Sequence, residues 1–443
     1  MILKLKELLL QICQEYSELK FVFHLRNWHT DFLRFYQSQT NYNISKSSLS
    51  LRTTIYKGKR SYGFSLNDPT EEKLREKITE IEGFIDSLPE DPDFVDIEAN
   101  TAKSAEKQKK DNRLEVNLEK KIAILQHLAH TVEPHNFKIY GTFICNYRNL
   151  YIVNSNGLDK HEINSPIYLE VKAVKQDTEV TVLETFGGED FSHFNLERFT
   201  GNLLAKVIAG SNEITDLDAG EYKVILAPRC IGEFFSYLMG SASARTLDNK
   251  TSFFEDKIDQ KVFPETISLT DDPDHPEMIQ FEYTGSGFPY QKLKIIEKGV
   301  FRNYMVDNYY AHKLNMKETG SEASALVMDT GDKSLTEMIN SIDKGIYISS
   351  LHYMNFINHK ETSLTGLTRD GTFLIENGKI TRVINNLRFT EKISHIIENI
   401  IAVEDKAVTV PFSHNYGHFG IESCRMPHVI VDNFKITSST GTI

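Results

Sequence analysis

The stretch Ser413–His428 concentrates side chains of the types that bind zinc in proteins. It holds three histidines, one glutamate and one cysteine: His414, His418, Glu422, Cys424 and His428. Histidines at positions 414 and 418 would share one face of a helix, but Gly417 and Gly420 favour a loop. A loop can chelate a metal, yet the Cys-x-x-Cys spacing of common zinc sites is absent. The stretch alone is therefore weak evidence for a metal site.

Other catalytic patterns are equally sparse. A zinc-peptidase helix needs two histidines one turn apart and a glutamate that activates the metal-bound water. The His161-Glu162 dipeptide is not followed by a second histidine at that spacing, and Pro166 would end a helix there. Cys230 stands at the head of a predicted helix, where a thiolate can be favoured, although a buried structural thiol is the commoner outcome. No glycine-rich phosphate-binding motif and no Gly-x-Ser-x-Gly motif occurs.

Composition and charge limit the classes of function. The 443 residues exceed the roughly 250–300 that one hydrophobic core supports, so we expect two or three substructures. The net charge of -12 argues against direct nucleic-acid binding, although it leaves room for a local basic patch. The four cysteines lie far apart, which favours free thiols in a reducing cytosol over a disulfide framework. No apolar run approaches the ~20 residues of a membrane span, so we expect a cytoplasmic protein without membrane contact.

Local patterns predict the elements that would position these side chains. We expect a helix at about 3–18, a strand at Phe21–Leu25 and a hairpin that turns at Lys57–Arg60. Further hairpins should turn at Lys175–Thr178 and at Glu376–Gly378, where Asn-Gly is a strong hairpin signal. Strands and helices are segregated along the chain, so the predicted class is α+β, with N-terminal helix and hairpin substructures followed by a strand-rich antiparallel C-terminal domain.

Three regions are expected on this basis. Residues 1–98 form an N-terminal α+β region, and residues 99–218 form a middle region with a charged helix and a β-hairpin. Residues 219–443 form the strand-rich domain, which opens with a strand at Tyr222–Leu226. A helix through Cys230–Gly240 follows, and its apolar spacing predicts one buried face.

A series of short motifs resembles one known family in order and spacing. In the first half the motifs are Arg34-Phe-Tyr-Gln-Ser38 and Asn154-Ser-Asn-Gly157. In the second half they are Gly287-Phe-Pro, the segments 293–307 and 310–314, Thr319-Gly320, Gly331-Asp-Lys-Ser-Leu335, Lys344-Gly-Ile-Tyr347, the segment 373–380 and Ile400-Ile-Ala-Val403. Together they are similar to the TldD/PmbA family over nearly the whole chain. The resemblance implies a cytoplasmic peptidase subunit, of a group once called modulators of DNA gyrase and linked to antitoxin turnover and peptide-antibiotic maturation.

The resemblance also implies where a metal would bind. The catalytic branch of the family, TldD, carries His-Glu-x-x-x-His on the helix that corresponds to residues 228–242. Here that helix contains Cys230, Glu233, Ser236 and Tyr237 but no histidine, and none occurs between His193 and His275. The family's cysteine ligand would correspond to a place near Ser413 and His414, and not to Cys424. The chain therefore resembles the other branch, PmbA (TldE), and we expect zinc in a TldD-like partner and none in this chain.

Three functions remain open at this point. The first is a non-catalytic subunit that pairs with a TldD-like chain, or with itself, and helps to enclose an extended peptide through main-chain pairing to a strand edge. The second is a self-sufficient metallopeptidase with an atypical metal site on His414, His418 and Cys424. The third is a non-enzymatic regulator of a DNA-associated partner, against which the acidic charge counts.

Overall fold

The computed structural model describes residues 2–99, 109–414 and 419–441, without the side chains of Ser413 and His414. The α-helices are α1 Ile2–Glu15, α2 Glu71–Glu82, α3 Asn112–Glu115, α4 Leu118–Val132, α5 Leu196–Gly210, α6 Pro228–Met239, α7 Ala244–Asp248, α8 Asn308–Lys313, α9 Leu335–Asn340 and α10 Ile393–Glu398. The β-strands are β1 Lys20–Tyr36, β2 Gln39–Lys57, β3 Arg60–Asn67, β4 Phe137–Asn154, β5 Asp159–Asn164, β6 Ile167–Lys175, β7 Thr181–Gly188, β8 Ile214–Thr215, β9 Gly220–Leu226, β10 Leu269–Asp271, β11 Leu293–Glu297, β12 Val300–Phe301, β13 Leu326–Met328, β14 Lys344–Asn358, β15 Ser363–Glu376, β16 Lys379–Ile384, β17 Leu387–Lys392, β18 Ile400–His414 and β19 Gly420–Ser439.

The predicted hairpins form where their turn signals lie. The Lys57–Arg60 turn joins β2 to β3, and Asn377 and Gly378 join β15 to β16. Asn377 and Gly378 have φ angles of 51° and 73°, the left-handed conformations that a two-residue turn of this type requires. The strand expected at Phe21–Leu25 is much longer and continues to Tyr36, and α1 ends at Glu15. Part of the charged segment of the middle region, residues 101–108, lies outside the described residues.

The first sheet is antiparallel and has two different faces. Its strands run in the order β3-β2-β1-β4-β6-β7, and β5 also pairs with β4. On one face Phe21, Phe23 and Leu25 of β1 are fully buried in a core with α1 and α2. α4 and α5 continue this layer of helices over β4 and β7. The other face of the sheet is directed toward the second half of the chain, which it meets through Tyr168 and Lys172.

The second sheet contains the strands of the second half and packs against α6. Its strands run in the order β12-β11-β10-β13-β19-β9-β14-β15-β16-β8, while β17 pairs with β15 and β19, and β18 pairs with β19. Most of these pairings are antiparallel, and β13 with β19, β9 with β14, and β8 with β16 are parallel. α6 packs against β19, β14 and β18 with Ile231, Phe234 and Phe235 fully buried. The α+β class and the strand-rich second half are thus confirmed.

Polar contacts tie the two halves together at the open face of the first sheet. The carboxylate of Glu162 on β5 accepts hydrogen bonds from the backbone N–H groups of Glu282 and Tyr283, at 2.5 and 3.2 Å. Asn164 donates to the carbonyl of Gln280 at 2.7 Å. The backbone groups of residues 280–283 thereby find hydrogen-bond partners on the first sheet. Within the ranges described above, no helix is both long and apolar enough to cross a membrane.

Candidate functional site

α6 is the helix on which the resemblance would place a metal motif. Ala227 is its N-cap and Pro228 its first residue, where the fixed φ of proline suits a helix start. Because its apolar residues bury one face, Arg229 and Glu233 lie together on the remaining face, one turn apart. Both side chains are largely enclosed, with 18% and 17% of their surfaces exposed. The two charges therefore interact in surroundings that contain little water.

An ion pair and a strand hold the guanidinium of Arg229 in place. Its Nε lies 3.4 Å from Oε1 of Glu233, and its Nη1 donates to the carbonyl of Pro411 at 3.1 Å. The guanidinium also lies over the ring of Phe412, 5.1 Å from the ring centroid. Planar stacking and a directed hydrogen bond suit arginine better than lysine at this position.

Side chains from the first sheet and from β15 complete the cluster. The hydroxyl of Tyr168 donates to Oε2 of Glu170 at 2.5 Å and also contacts Arg229. Lys172 Nζ lies 2.9 Å from Oδ1 of Asp370, which is 6% exposed. These residues come from β6 and β15, so the cluster joins the two halves of the chain. We call the set Tyr168, Glu170, Lys172, Arg229, Glu233 and Asp370 the α6 cluster.

Carboxylates outnumber cations in the α6 cluster. Burial raises the pKa of Glu233 to about 7, and the guanidinium of Arg229 offsets only part of that rise. Burial alone would lower the pKa of Arg229, but Glu233 and the other acidic neighbours together raise it. The arginine is therefore charged, while Glu233 can gain or lose a proton near neutral pH.

The other predicted residues of α6 have structural partners. Cys230 is fully buried, its Sγ donates to the carbonyl of Ile348 at 3.4 Å, and burial raises its pKa, which disfavours a thiolate. Ser236 donates to the backbone of its own helix at 2.9 Å. The hydroxyl of Tyr237 donates to the carbonyl of Met354 at 2.8 Å, so it braces α6 against β14.

In the stretch Ser413–His428, β18 pairs with β19, and Phe419, just before β19, contacts the first sheet. Phe419 packs against Phe32, with ring centroids 5.0 Å apart. The carbonyl of Phe419 accepts hydrogen bonds from Asn146 at 3.0 Å and from Arg148 at 3.3 Å. Phe419 is thus fixed to β1 and β4 on the face of the sheet that is directed toward the second half.

The candidate metal ligands of this stretch are placed apart. Cys424 is buried and faces α6, whereas Glu422 is exposed. His428 contacts Oε2 of Glu404 through Nδ1 at 2.6 Å and the hydroxyl of Tyr347 through Nε2 at 3.0 Å. Residue 418 and the side chain of residue 414, the remaining two histidines, lie outside what the structure describes.

The residues around Glu233 do not fit a zinc ion. Placed on Glu233, the pattern His-Glu-x-x-x-His would require histidines at the positions of Gly232 and Tyr237. A Cβ atom at Gly232 would lie 2.5 Å from Sγ of Cys424, so the helix backbone sits directly against β19. Burial raises the pKa of Cys424 far above its ordinary value, whereas zinc binds the thiolate. The carboxylate of Glu233 is paired with Arg229 instead of a metal.

Within residues 2–99, 109–414 and 419–441, no three histidine, cysteine, aspartate or glutamate side chains converge as a group that could hold a metal ion.

Comparisons with known proteins identify relatives of this chain. Residues 219–438 match the family model described as PmbA/TldA metallopeptidase C-terminal domain. A zinc metalloprotease TldD homolog from Saccharolobus solfataricus is 25% identical over 407 residues, which cover 85% of this chain and 87% of the relative. A metalloprotease PmbA homolog from Haemophilus influenzae is 22% identical over 239 residues, 53% of this chain and 51% of the relative.

Solved structures match over the full length. TldE from Thermococcus kodakarensis superposes with a TM-score of 0.85 at 20% identity, covering 98% of this chain and 100% of that one. A Thermotoga maritima protein described as a candidate modulator of a DNA gyrase superposes with a TM-score of 0.82 at 14% identity, covering 99% and 100%. The fold is that of the TldE-type proteins, and the chain belongs to the PmbA/TldD family, as the sequence motifs predict.

The sequence predicts Glu233 as a residue of the candidate site but does not predict the charged residues around it. Arg229 lies four residues before Glu233, a spacing that places two side chains on one helix face and was available from the sequence. Lys172 and Asp370 are separated from α6 by long stretches of chain, and no local pattern links them to it. They come together only in the folded chain, where Lys172 pairs with Asp370 and the charge of Asp370 acts on Arg229.

Proposed function

We propose that this chain is the non-catalytic, PmbA/TldE-like subunit of a TldD/TldE-type zinc metallopeptidase that acts on extended peptides. The observation that carries the proposal is the Arg229–Glu233 pair on α6. A guanidinium supplies a fixed positive charge beside the carboxylate, and Gly232 and Tyr237 stand where the family's histidines would be needed. The pair thus supports the interpretation that α6 occupies the position of the family's metal-binding helix but does not bind the metal.

A strand edge beside α6 could receive the peptide. β14 pairs with β9 only at Ile346–Ile348, and beyond that point β15 is its one neighbouring strand among the described residues. Tyr353 and Ile357 on this part of β14 are 71% and 61% exposed. Main-chain pairing to such an edge binds peptides of varied sequence, because the hydrogen bonds involve only backbone groups.

The missing zinc would come from a TldD-like chain that carries His-Glu-x-x-x-His, with a homodimer as the alternative assembly. The assembly would act in the cytoplasm. A relative named as a zinc metalloprotease TldD homolog supports a link to such chemistry, since it aligns with 85% of this chain.

The proposal is tested by combining purified chains. This chain and a TldD-type relative from the same organism are purified separately and mixed, and co-elution, bound zinc and cleavage of an unstructured peptide are measured. We expect zinc and cleavage only where the TldD-type chain is present, with faster cleavage in the mixture. Cleavage by this chain alone would contradict the proposal.

A matched variant separates this function from a self-sufficient peptidase. Replacing His414, His418 and Cys424 together by alanine should leave the zinc content of the mixture unchanged. Loss of zinc from that variant would instead support an atypical metal site in the stretch Ser413–His428.

A further inference from the structure

Three arginines lie side by side on the open face of the first sheet. Arg26 on β1 is paired with Ser50 on β2 and with Leu150 on β4. Arg52, which lies opposite His24, and Arg148, which lies opposite Trp28, are diagonal neighbours of Arg26 on the same face, one on each side of it. Diagonal neighbours are about 7–8 Å apart, within reach of long side chains. The three arginines therefore form a diagonal row in which Arg26 can share a ligand with either neighbour and an extended ligand can contact all three.

These arginines lack the partners that other arginines of this chain have. Arg75 and Arg302, for example, each form ion pairs with two glutamate or aspartate side chains. Over the described ranges no carboxylate oxygen is found within 4.0 Å of Arg26, Arg52 or Arg148, although the chain has a net charge of -12. Burial and the nearby charge of Arg52 lower the pKa of Arg26. Like charges held together in this way leave a strong local preference for an anion.

Arg148 is the most enclosed of the three arginines, and one of its nitrogens lacks a hydrogen-bond partner within the described chain. Its guanidinium lies 4.7 Å from the ring centroid of Trp28, and one nitrogen donates to the carbonyl of Phe419 at 3.3 Å. Its Nε is buried and has no hydrogen-bond partner within the described chain. Burial lowers the pKa of Arg148 to about 10, so the side chain is still charged at neutral pH. A buried donor without a partner is costly, and an anion would satisfy it.

The second half of the chain covers the sheet on both sides of this group and leaves its centre open. On one side His24 donates to the carbonyl of Gly285 at 2.6 Å. On the other side the carbonyl of Phe419 accepts from Arg148, whose guanidinium lies over the ring of Trp28. Arg26, which lies between His24 and Trp28 on β1, and Arg52, which lies opposite His24, remain exposed.

We propose that Arg26, Arg52 and Arg148, with Trp28, form a carboxylate-binding site that anchors an acidic side chain or the C-terminal carboxylate of an extended peptide. The proposal rests on the proposed function and names the chemistry of its substrate. Guanidinium groups bind carboxylates in a two-pronged geometry that suits this set. A nucleic acid is disfavoured, because it would need many phosphate contacts and the chain has a net charge of -12.

Trp28 provides the readout, since it is the single tryptophan of the chain. The lone full-length chain is titrated with a tryptophan-free peptide that contains several glutamates and a free C-terminus, and Trp28 emission is followed. A second peptide has glutamines in place of the glutamates, and a third has an amidated C-terminus. Loss of binding in the second points to side-chain carboxylates, and loss in the third points to the terminal carboxylate.

The double variant Arg26→Ala/Arg52→Ala should bind the acidic peptide at least about tenfold more weakly, because two charge-assisted contacts are lost. Its melting temperature should be unchanged, since both side chains are exposed. Arg198→Ala, which removes an exposed arginine of α5, is the matched control and should bind normally.

Equal affinity for a peptide that combines both changes and so carries no carboxylate, unchanged binding by the double variant, or tighter binding of a single-stranded oligonucleotide would each overturn the proposal. The titration needs no partner, zinc or cleavage. A failure of the proposed subunit role would therefore leave this result unaffected, and a failure here would leave the cleavage assay interpretable.

Discussion

Replacing Glu233 by glutamine should make the stability of the protein less dependent on pH. Burial raises the pKa of Glu233 from an ordinary value of 4.5 to about 7 in the folded chain. A carboxyl group with a raised folded pKa contributes its full stability below its unfolded pKa and loses it as the pH rises through the folded value. The difference corresponds to about 3 kcal/mol. Glutamine resembles the protonated form, so the stabilities of wild type and Glu233→Gln should differ least at pH 5, and the advantage of the variant should grow toward pH 8.

The assay is thermal unfolding of both proteins from pH 5 to pH 8. For a chain of 443 residues that unfolds as one unit, about 3 kcal/mol corresponds to roughly 3 °C in melting temperature. Other buried carboxyls titrate in the same range, so the quantity of interest is the difference between the two curves. Glu76→Gln, at an exposed position of α2, is the control and should follow the wild type at every pH. If the curves of wild type and Glu233→Gln run parallel, the electrostatic reasoning about the α6 cluster is wrong.

Two further predictions concern packing and hydrogen bonding around the same strands. Gly232→Ala should lower stability by about 1–3 kcal/mol in a melting experiment, because its Cβ would meet Sγ of Cys424, whereas Gly240→Ala should be neutral since no atom lies within 4 Å of its Cβ. Equal melting temperatures for the two alanine variants would contradict the packing of α6. Glu404→Gln should cost about 2 kcal/mol at neutral pH by weakening the bond to His428. Burial opposes ionisation of Glu404, but the contact with His428 lowers the pKa of Glu404 overall. The stability cost of Glu404→Gln should therefore shrink as the pH falls into the acid range. A stability cost that is constant with pH would contradict an ionised Glu404.

The fold could be predicted from the sequence to the extent that its signals are local. The Asn377-Gly378 turn and the buried stripe of α6 depend on neighbouring residues, and both form as expected. β1 extends beyond the predicted strand, because its later part is buried by α4 and by Phe419 and Ile421 rather than by a local pattern. Strand order across each sheet depends on contacts between distant segments, which one sequence does not reveal.

The candidate site was predictable only in part, for the same reason. The absence of histidine from α6 and the presence of Glu233 follow from the motif, but the pairing with Arg229 depends on which face of the helix is buried. Cys424 illustrates the limit. Its spacing from the histidines suggested a shared site, whereas the strand geometry directs it toward α6 and directs His428 toward Glu404 and Tyr347. Regular alternation would place Cys424 and His428 on the same face, but β19 changes its facing between Met426 and Val429, since Cys424, Met426, Val429 and Val431 all lie in one core.

The zinc content of the purified lone chain tests the central claim most directly. The untagged chain is incubated with zinc, dialysed, and measured by elemental analysis, in parallel with the Cys424→Ala variant and a TldD-type relative. Because Arg229 occupies the carboxylate of Glu233 and no histidine stands at positions 232 or 237, we predict far less than one zinc per chain for both forms of this protein and about one for the relative. One zinc per wild-type chain, lost in Cys424→Ala, would contradict the account.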